Sequence, residues 1–446
     1  MSIAEKYAAD KYYGTHRTFK TRLRHRKLRF LTHLNQRRPP GLRAAPELVV
    51  LEPKEGVAPS GKPPVRIFMG TEPHQHRAER ILVWSIAQVR DPARRYEIYL
   101  MKDLAGFDRR GWKTSFTYYR YAIPALAGYE GRAIFNDVDQ IYFADPAELF
   151  DIDMGDAGVL CINERETSVM LIDCAKMTDA WRLEQAQTNR VGGHKHTFFR
   201  AQMHEKGLWG PLPGVWNARD WEYEDGVSNL LHYTTVHSQP WRPFPKELRY
   251  RKSPEGEIWH TMERAADAAG FNLFSEERPT RHFAEAAAGW EARCAKLSAA
   301  ACVPAIASLV REKNAETLLD FGAVGLKDLR FPGTVDVTPR DLQARDDERP
   351  GRNSYDGVVC VGLLSEFATE DIPWMLDKLF RQARSFVFVA AAASATQTRG
   401  VMAASQDADW WQEQMKAAAR RVPGVDWALS LQDDLTQSSG GRVYRP

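Results

Sequence analysis

The sequence predicts an α/β protein built as two successive units of strands and helices. Between residues 65 and 100, an apolar run, Val65-Arg66-Ile67-Phe68-Met69, is followed by a helix-spaced segment from Glu79 to Val89 and a second apolar run, Tyr96-Glu97-Ile98-Tyr99-Leu100. Between residues 316 and 389 the alternation returns, with runs at Thr317 to Phe321, Val335 to Val337, Val358 to Val361 and Phe386 to Val389. Short apolar runs separated by helical periods are how buried strands and their crossovers read. Such strands end towards a common ligand edge. The chain has 446 residues, 27% charged and 43% hydrophobic, which suits a folded protein of about two or three domains.

The first 43 residues hold twelve Lys and Arg against Glu5 and Asp10, a local charge of +10 that leaves −7 of the net +3 for the rest. Within them Lys20 to Phe30 alternates basic residues with Leu and Phe, and Arg37-Arg38-Pro39-Pro40 follows. Three readings stay open: a solvated tail, a helix docked on an acidic face, or a basic helix on anionic lipid. No base-stacking module accompanies the patch, so nucleic acid is not an expected partner. No run approaches the roughly 18 apolar residues of a membrane span, and the N-terminus lacks the apolar core of a secretory signal. Five cysteines, an odd number without metal-type spacing, fit a reducing cytoplasm. The expected location is cytoplasmic, with peripheral contact at the inner membrane face through residues 1–43.

Residues 46–64 contain Pro and Gly and read as a linker. Val65 to Met69 is the first strand and runs into the loop Gly70-Thr71-Glu72-Pro73. Ala133 to Phe135 reads as a buried strand opening into Asp137-Val138-Asp139, after which the apolar run resumes and Asp145-Pro146 turns the chain. Two carboxylates one residue apart at a strand end can reach one hard divalent cation, which takes oxygen ligands and can share them with a diphosphate. Gly158 to Asn163 and Thr167 to Asp173 read as strands. Residues 182–214 read as irregular, with His194 and His196 either solvated or metal-binding. Val227 to Tyr233 reads as a strand ending in a histidine. Residues 251–312 read as a helical bridge.

Taken in order, Thr117-Tyr118-Tyr119-Arg120-Tyr121-Ala122-Ile123-Pro124, the Asp137-Val138-Asp139 loop with its Asp145 to Phe150 turn, Trp216-Asn217, and Leu231-His232-Tyr233-Thr234 closing in Pro240-Trp241 resemble glycosyltransferase family 8. This is the glycogenin and galactosyltransferase-like group with the GT-A fold. The resemblance covers about residues 63–245. It implies transfer of a sugar, with retention at the anomeric carbon, from a nucleoside-diphosphate donor (a UDP-sugar first among them) to a saccharide or glycolipid acceptor, as in bacterial polysaccharide synthesis. It implies that Asp137 and Asp139, with His232, hold Mn²⁺ or Mg²⁺. Gly70, Thr71 and Glu72 would flank the base, and Arg120 would sit near the phosphates or brace Asp137. No side chain demands the role of nucleophile.

The chain departs from that pattern in three places. Glu166 and Ser168 replace the Asn and Gly of the family's Asn-x-Gly-Val turn, and loss of Gly removes easy access to positive φ. Gln239 stands where a Lys precedes Pro-Trp, with Lys246 or Arg242 as substitutes. His232 lies one position further from Pro-Trp than usual, which makes His237 a rival ligand.

From residue 313 the order Leu318-Leu319-Asp320-Phe321-Gly322, then Asp336, then Tyr355-Asp356-Gly357-Val358 resembles a class I S-adenosylmethionine methyltransferase, a Rossmann-like fold. It implies cofactor contacts from Asp320 and Gly322 and ribose contacts from Asp336. The second loop glycine comes one place late, at Gly325. The expected organisation is a basic segment and linker (1–62), a GT-A domain (63–250), a helical bridge (251–312) and a methyltransferase-like domain (313–446). Two alternatives to sugar transfer stand: methyl transfer by the second domain, and a non-catalytic GT-A-like scaffold.

Overall fold

The computed structural model describes residues 43–446 except 110, 111, 113, 115, 164–165, 189–194, 246–247, 296, 341–353, 393–405, 434 and 436–440, and except the side chains of Lys195 and Glu291. The basic segment up to residue 42, His194 and Lys246 therefore lie outside the described residues. Arg43, counted with that segment, belongs to the fold. It is buried, its N–H donates to the Asp103 carbonyl at 3.0 Å, and its guanidinium pairs with Glu47 at 3.2 Å. The chain divides into two compact units, Met1–Ala269 and Gly270–Pro446.

The first unit carries β1 (Glu47–Leu51), β2 (Val65–Gly70), α1 (His76–Val89), β3 (Tyr96–Met101), α2 (Ile123–Leu126), β4 (Arg132–Asp137), β5 (Gln140–Tyr142), α3 (Pro146–Phe150), β6 (Val159–Asn163) and β7 (Glu166–Asp173). It continues with α4 (Leu183–Gln187), α5 (Lys195–Glu205), β8 (Trp209–Pro211), β9 (Ala218–Arg219), β10 (Leu230–His232) and α6 (Gly256–Ala268). Seven strands form one mixed sheet in the order β1-β3-β2-β4-β7-β6-β8, and β5-β10-β9 form a second. The central strands β3, β2 and β4 are parallel, so Met101, Gly70 and Asp137 end at one edge. Val65, Ile67, Phe68 and Met69 are all buried, as expected of a strand covered on both faces. Each such side chain contributes about 1.5–3 kcal/mol by leaving water.

Two expectations are corrected here. Residues 46–64 do not all form a linker, because Leu48-Val49-Val50-Leu51 pairs antiparallel with β3 and extends the sheet. Residues 182–214 are not irregular throughout: they include α4, α5 and β8, and Phe199 and Met203 of α5 are fully buried.

In the second unit, α7 (Phe283–Ala288), α8 (Trp290–Cys294) and α9 (Val303–Lys313) precede β11 (Thr317–Phe321), β12 (Asp336–Arg340), β13 (Tyr355–Val361), α10 (Ile372–Gln382), β14 (Ala383–Ala392), α11 (Ala408–Arg421), β15 (Asp426–Gln432) and β16 (Arg442–Tyr444). The sheet order is β12-β11-β13-β14-β15-β16, parallel except for β16. The helices of residues 251–312 are shared out between the units. In the first unit α6 packs on α1, where Arg77 pairs with Glu263 at 2.8 Å and Arg80 with Asp267 at 2.7 Å.

Candidate active site

The aspartate loop is a two-residue link between β4 and β5. Val138 is buried and its N–H donates to the Gly70 carbonyl at 3.1 Å, so Asp137 and Asp139 on either side of it turn towards the same ligand edge. Gly70 is needed because a Cβ there would lie 2.6 Å from Phe116 Cδ2. Beneath the loop, Asn136 donates to Gln140 at 2.6 Å and accepts from the Tyr142 hydroxyl at 2.8 Å. The Tyr142 N–H donates to Ser85 Oγ of α1 at 3.0 Å, which ties β5 to the helix.

His232 reaches the loop across the second sheet, where β10 pairs antiparallel with β5 and places His232 opposite Gln140. Its Nε2 lies 3.2 Å from Asp139 Oδ1, an oxygen that accepts no hydrogen bond of good geometry. Asp137, Asp139 and His232 each offer a ligand atom, all within 4.8 Å of one another. Two carboxylates and an imidazole around an orphaned buried oxygen fit Mn²⁺ or Mg²⁺ with coordination positions to spare. His237 is not in this group, which favours His232 of the two rivals.

Arg120 is the brace. Its guanidinium donates to Asp137 Oδ1 at 2.8 Å, to the Thr167 carbonyl at 2.6 Å and to the Thr117 carbonyl at 2.9 Å, while lying over the Phe135 ring. These bonds hold Asp137 in place. Burial raises the Asp137 carboxyl to about 6, against the pull of Arg120 and with the push of Asp139. For His232, burial works against the charge, but the Asp139 carboxylate overrides it and lifts the imidazole to about 9. Gln239, in the lysine's place, donates to Asp139 Oδ2 at 2.9 Å and to the Tyr233 carbonyl at 3.1 Å. Arg242 is exposed.

Thr71 and Glu72 follow Gly70 at the sheet edge, but both are buried. The Thr71 hydroxyl donates inward to Glu79 at 2.7 Å, and Glu79 also accepts two bonds from the Lys102 ammonium, one on each carboxylate oxygen at 2.9 Å. Sequence reasoning missed the support given by Asn136, Gln140, Tyr142 and Ser85. The Asn136, Gln140 and Tyr142 bonds link two successive strands, and the Ser85–Tyr142 bond joins elements 57 residues apart; polar residues within strands do not announce such partners.

The second unit brings Asp320 and Gly322 together but not Asp336. The buried Asp320 carboxylate accepts the N–H groups of Val324, Gly325 and Leu326 at 3.2, 3.1 and 3.0 Å. Burial raises it despite those donors. Asp336 is corrected: it opens β12 opposite Thr317, at the far end of the sheet from the Asp320 turn, because the strand runs on to Arg340 opposite Phe321. Trp290 of α8 donates to the Gly322 carbonyl at 2.9 Å, and a Cβ on Gly362 would lie 2.4 Å from Leu297 Cδ1. The C-terminal ends of β11 and β13 are thus covered by the unit's own side chains.

No protein-family model matches the chain. It is 25% identical over 235 residues to Protein CDI of Arabidopsis thaliana, covering 46% of this chain and 84% of that protein. Solved structures similar to parts of the chain are glycosyltransferases. The apo bifunctional glycosyltransferase WbbM is 12% identical at a TM-score of 0.34, covering 46% of this chain and 53% of that one. The galactosyltransferase LgtC, in complex with donor and acceptor sugar analogues, is 14% identical at 0.31, covering 44% and 95%. The glycosyltransferase GlyE of Streptococcus pneumoniae TIGR4 is 12% identical at 0.36, covering 84% and 81%. At such TM-scores these likenesses carry no weight for the chemistry, which stands on the residues themselves.

Proposed function

We propose that the first unit is a metal-dependent glycosyltransferase that takes a sugar from a nucleoside-diphosphate donor, a UDP-sugar first, and passes it with retention to a saccharide or glycolipid acceptor. The observation that carries this reading is the convergence of Asp137, Asp139 and His232 at the edge where β4 ends beside Gly70. The order of motifs along residues 63–245 supports it. When bound there, Mn²⁺ or Mg²⁺ would offset the charge that grows on the departing diphosphate. Arg120 keeps Asp137 aimed at the site, Gln239 does the same for Asp139, and the loop after β2 flanks the donor with its backbone. No residue is assigned as nucleophile; the anionic leaving group can itself take the acceptor's proton.

The test is nucleoside diphosphate release from UDP-, GDP- and CDP-sugars with Mn²⁺, by wild type and by Asp139→Asn. Release from one donor, abolished by chelator and by Asp139→Asn, supports the reading. Equal release with chelator, or by the variant, contradicts it.

For the second unit, two observations weigh against S-adenosylmethionine: Asp336 is at the wrong end of β12, and Trp290 and Leu297 cover the strand ends. We assign this unit a scaffold role. Contact of the basic N-terminal segment with anionic lipid remains part of the proposal, without Arg43, which is buried in the fold. Liposome flotation with and without that segment tests it, and identical behaviour would remove it. Among the described residues no helix is long and apolar enough to cross a membrane.

A further inference from the structure

Behind His232 runs a chain of hydrogen bonds. His232 Nδ1 lies 2.8 Å from Asn217 Oδ1, and Asn217 Nδ2 donates to Ser168 Oγ at 3.1 Å. Ser168 Oγ donates in turn to Glu166 Oε1, which also takes the Ser168 N–H at 3.3 Å. Asn217, Ser168 and His232 are all buried. The direction of the chain follows from its end. A carboxylate only accepts, so the single Ser168 proton goes to Glu166 and its lone pairs take the Asn217 amide. The Asn217 carbonyl then faces His232 and accepts its Nδ1–H, with Ser168 Oγ a second and longer acceptor 3.3 Å from the same nitrogen. That leaves Nε2 as the nitrogen offered towards Asp139, 3.2 Å away.

We propose that Glu166, Ser168 and Asn217 form a positioning relay that fixes the ring of His232 and presents Nε2 to a divalent cation. The inference rests on the metal-site reading above. It gives a purpose to two of the residues at which the sequence departs from the family-8 turn. Where that pattern has Asn and Gly, this chain has the carboxylate and hydroxyl that end the relay. Partners of a metal-binding imidazole set its tautomer and orientation, and their loss weakens metal binding about 10–100-fold.

The test is Mn²⁺ binding to the full chain by calorimetry, with thermal melting in chelator as a control for folding. Asn217→Leu removes the nearer acceptor, leaves Nδ1–H only Ser168 Oγ at 3.3 Å, and should weaken Mn²⁺ about 10–100-fold. Asn217→Asp keeps an acceptor for Nδ1–H and should bind as tightly as wild type or more so. Ser168→Ala and Glu166→Gln, which free the relay to reverse, should each weaken binding about tenfold. They carry the test if Asn217→Leu does not fold. Wild-type affinity in all variants would overturn the relay and leave the metal site standing. Equal loss in Asn217→Asp and Asn217→Leu would reduce Asn217 to a packing residue and also overturn it. Failure of the wild type to bind Mn²⁺ would overturn the metal-site reading, and the relay with it.

Discussion

At Gln239 a neutral amide stands where the family-8 pattern has a cation, and it is used to hold Asp139 rather than to face a diphosphate. Replacing it with Leu removes the donor to a half-buried carboxylate. Gln239→Leu should lower stability by about 1–3 kcal/mol in chelator and weaken Mn²⁺ about tenfold; unchanged Mn²⁺ affinity would contradict the assignment. His232 gives the pH dependence. Its folded value, about 9, lies above the ordinary 6.5, so its pairing with Asp139 contributes stability that is complete below pH 6.5 and is lost as pH rises through about 9. A cation that takes Nε2 must displace that proton. Mg²⁺ affinity should therefore rise up to about tenfold per pH unit between pH 7 and 9, with close to one proton released per ion. Calorimetry in two buffers of different ionisation enthalpy measures this, and a flat profile without proton release would contradict it.

Two joints position the aspartate loop at the level of elements. One is the close packing of Gly70 on Phe116, where Gly70→Ala should cost about 1–3 kcal/mol and loosen the Val138 hydrogen bond to Gly70. The other is Ser85 on α1, where Ser85→Ala strands the buried Tyr142 N–H at a cost of about 1–3 kcal/mol. Melting curves read both, and an unchanged midpoint in either variant would show that the joint is not needed. The central strands were legible in the sequence because Val65 to Met69 and Ala133 to Phe135 are buried almost throughout and read as apolar runs, while Tyr96 to Leu100 alternates buried Tyr96, Ile98 and Leu100 with half-buried Glu97 and Tyr99. The aspartate pair and His232 were singled out by the resemblance of the motif order to glycosyltransferase family 8, since a strand end alone does not separate ligands from solvated acids and a structural histidine. The strand at residues 47–51 was hidden by the Pro and Gly after it, since an edge strand depends on its partner more than on its own composition. The helix at 195–205 was hidden because His, Lys, Arg and Gln interrupt its apolar face. Asn217 lies in the Trp216-Asn217 motif, but its pairing with His232 and Ser168, like that of Ser85 with Tyr142, joins elements distant in the chain and leaves no local signal.

For the whole molecule, the two α/β units differ in what their sheet edges offer. The first leaves carboxylates and an imidazole at its edge. The second closes its edge with Trp290 and Leu297 and spends Asp320 on three backbone N–H groups. The full chain should therefore give no binding heat with S-adenosylmethionine. Asp320→Ala should lower the melting temperature, by more than about 3 kcal/mol of stability, through the loss of those charge-assisted bonds. Saturable S-adenosylmethionine binding would contradict the scaffold role. The central claim is most directly tested by calorimetry of UDP, GDP and CDP against wild type and Asp137→Ala/Asp139→Ala, with Mn²⁺ and with chelator. The account predicts that one nucleotide, UDP first, binds wild type only with Mn²⁺ and fails to bind the double variant. Absence of nucleotide binding under every condition would contradict it and leave the first unit a non-catalytic scaffold.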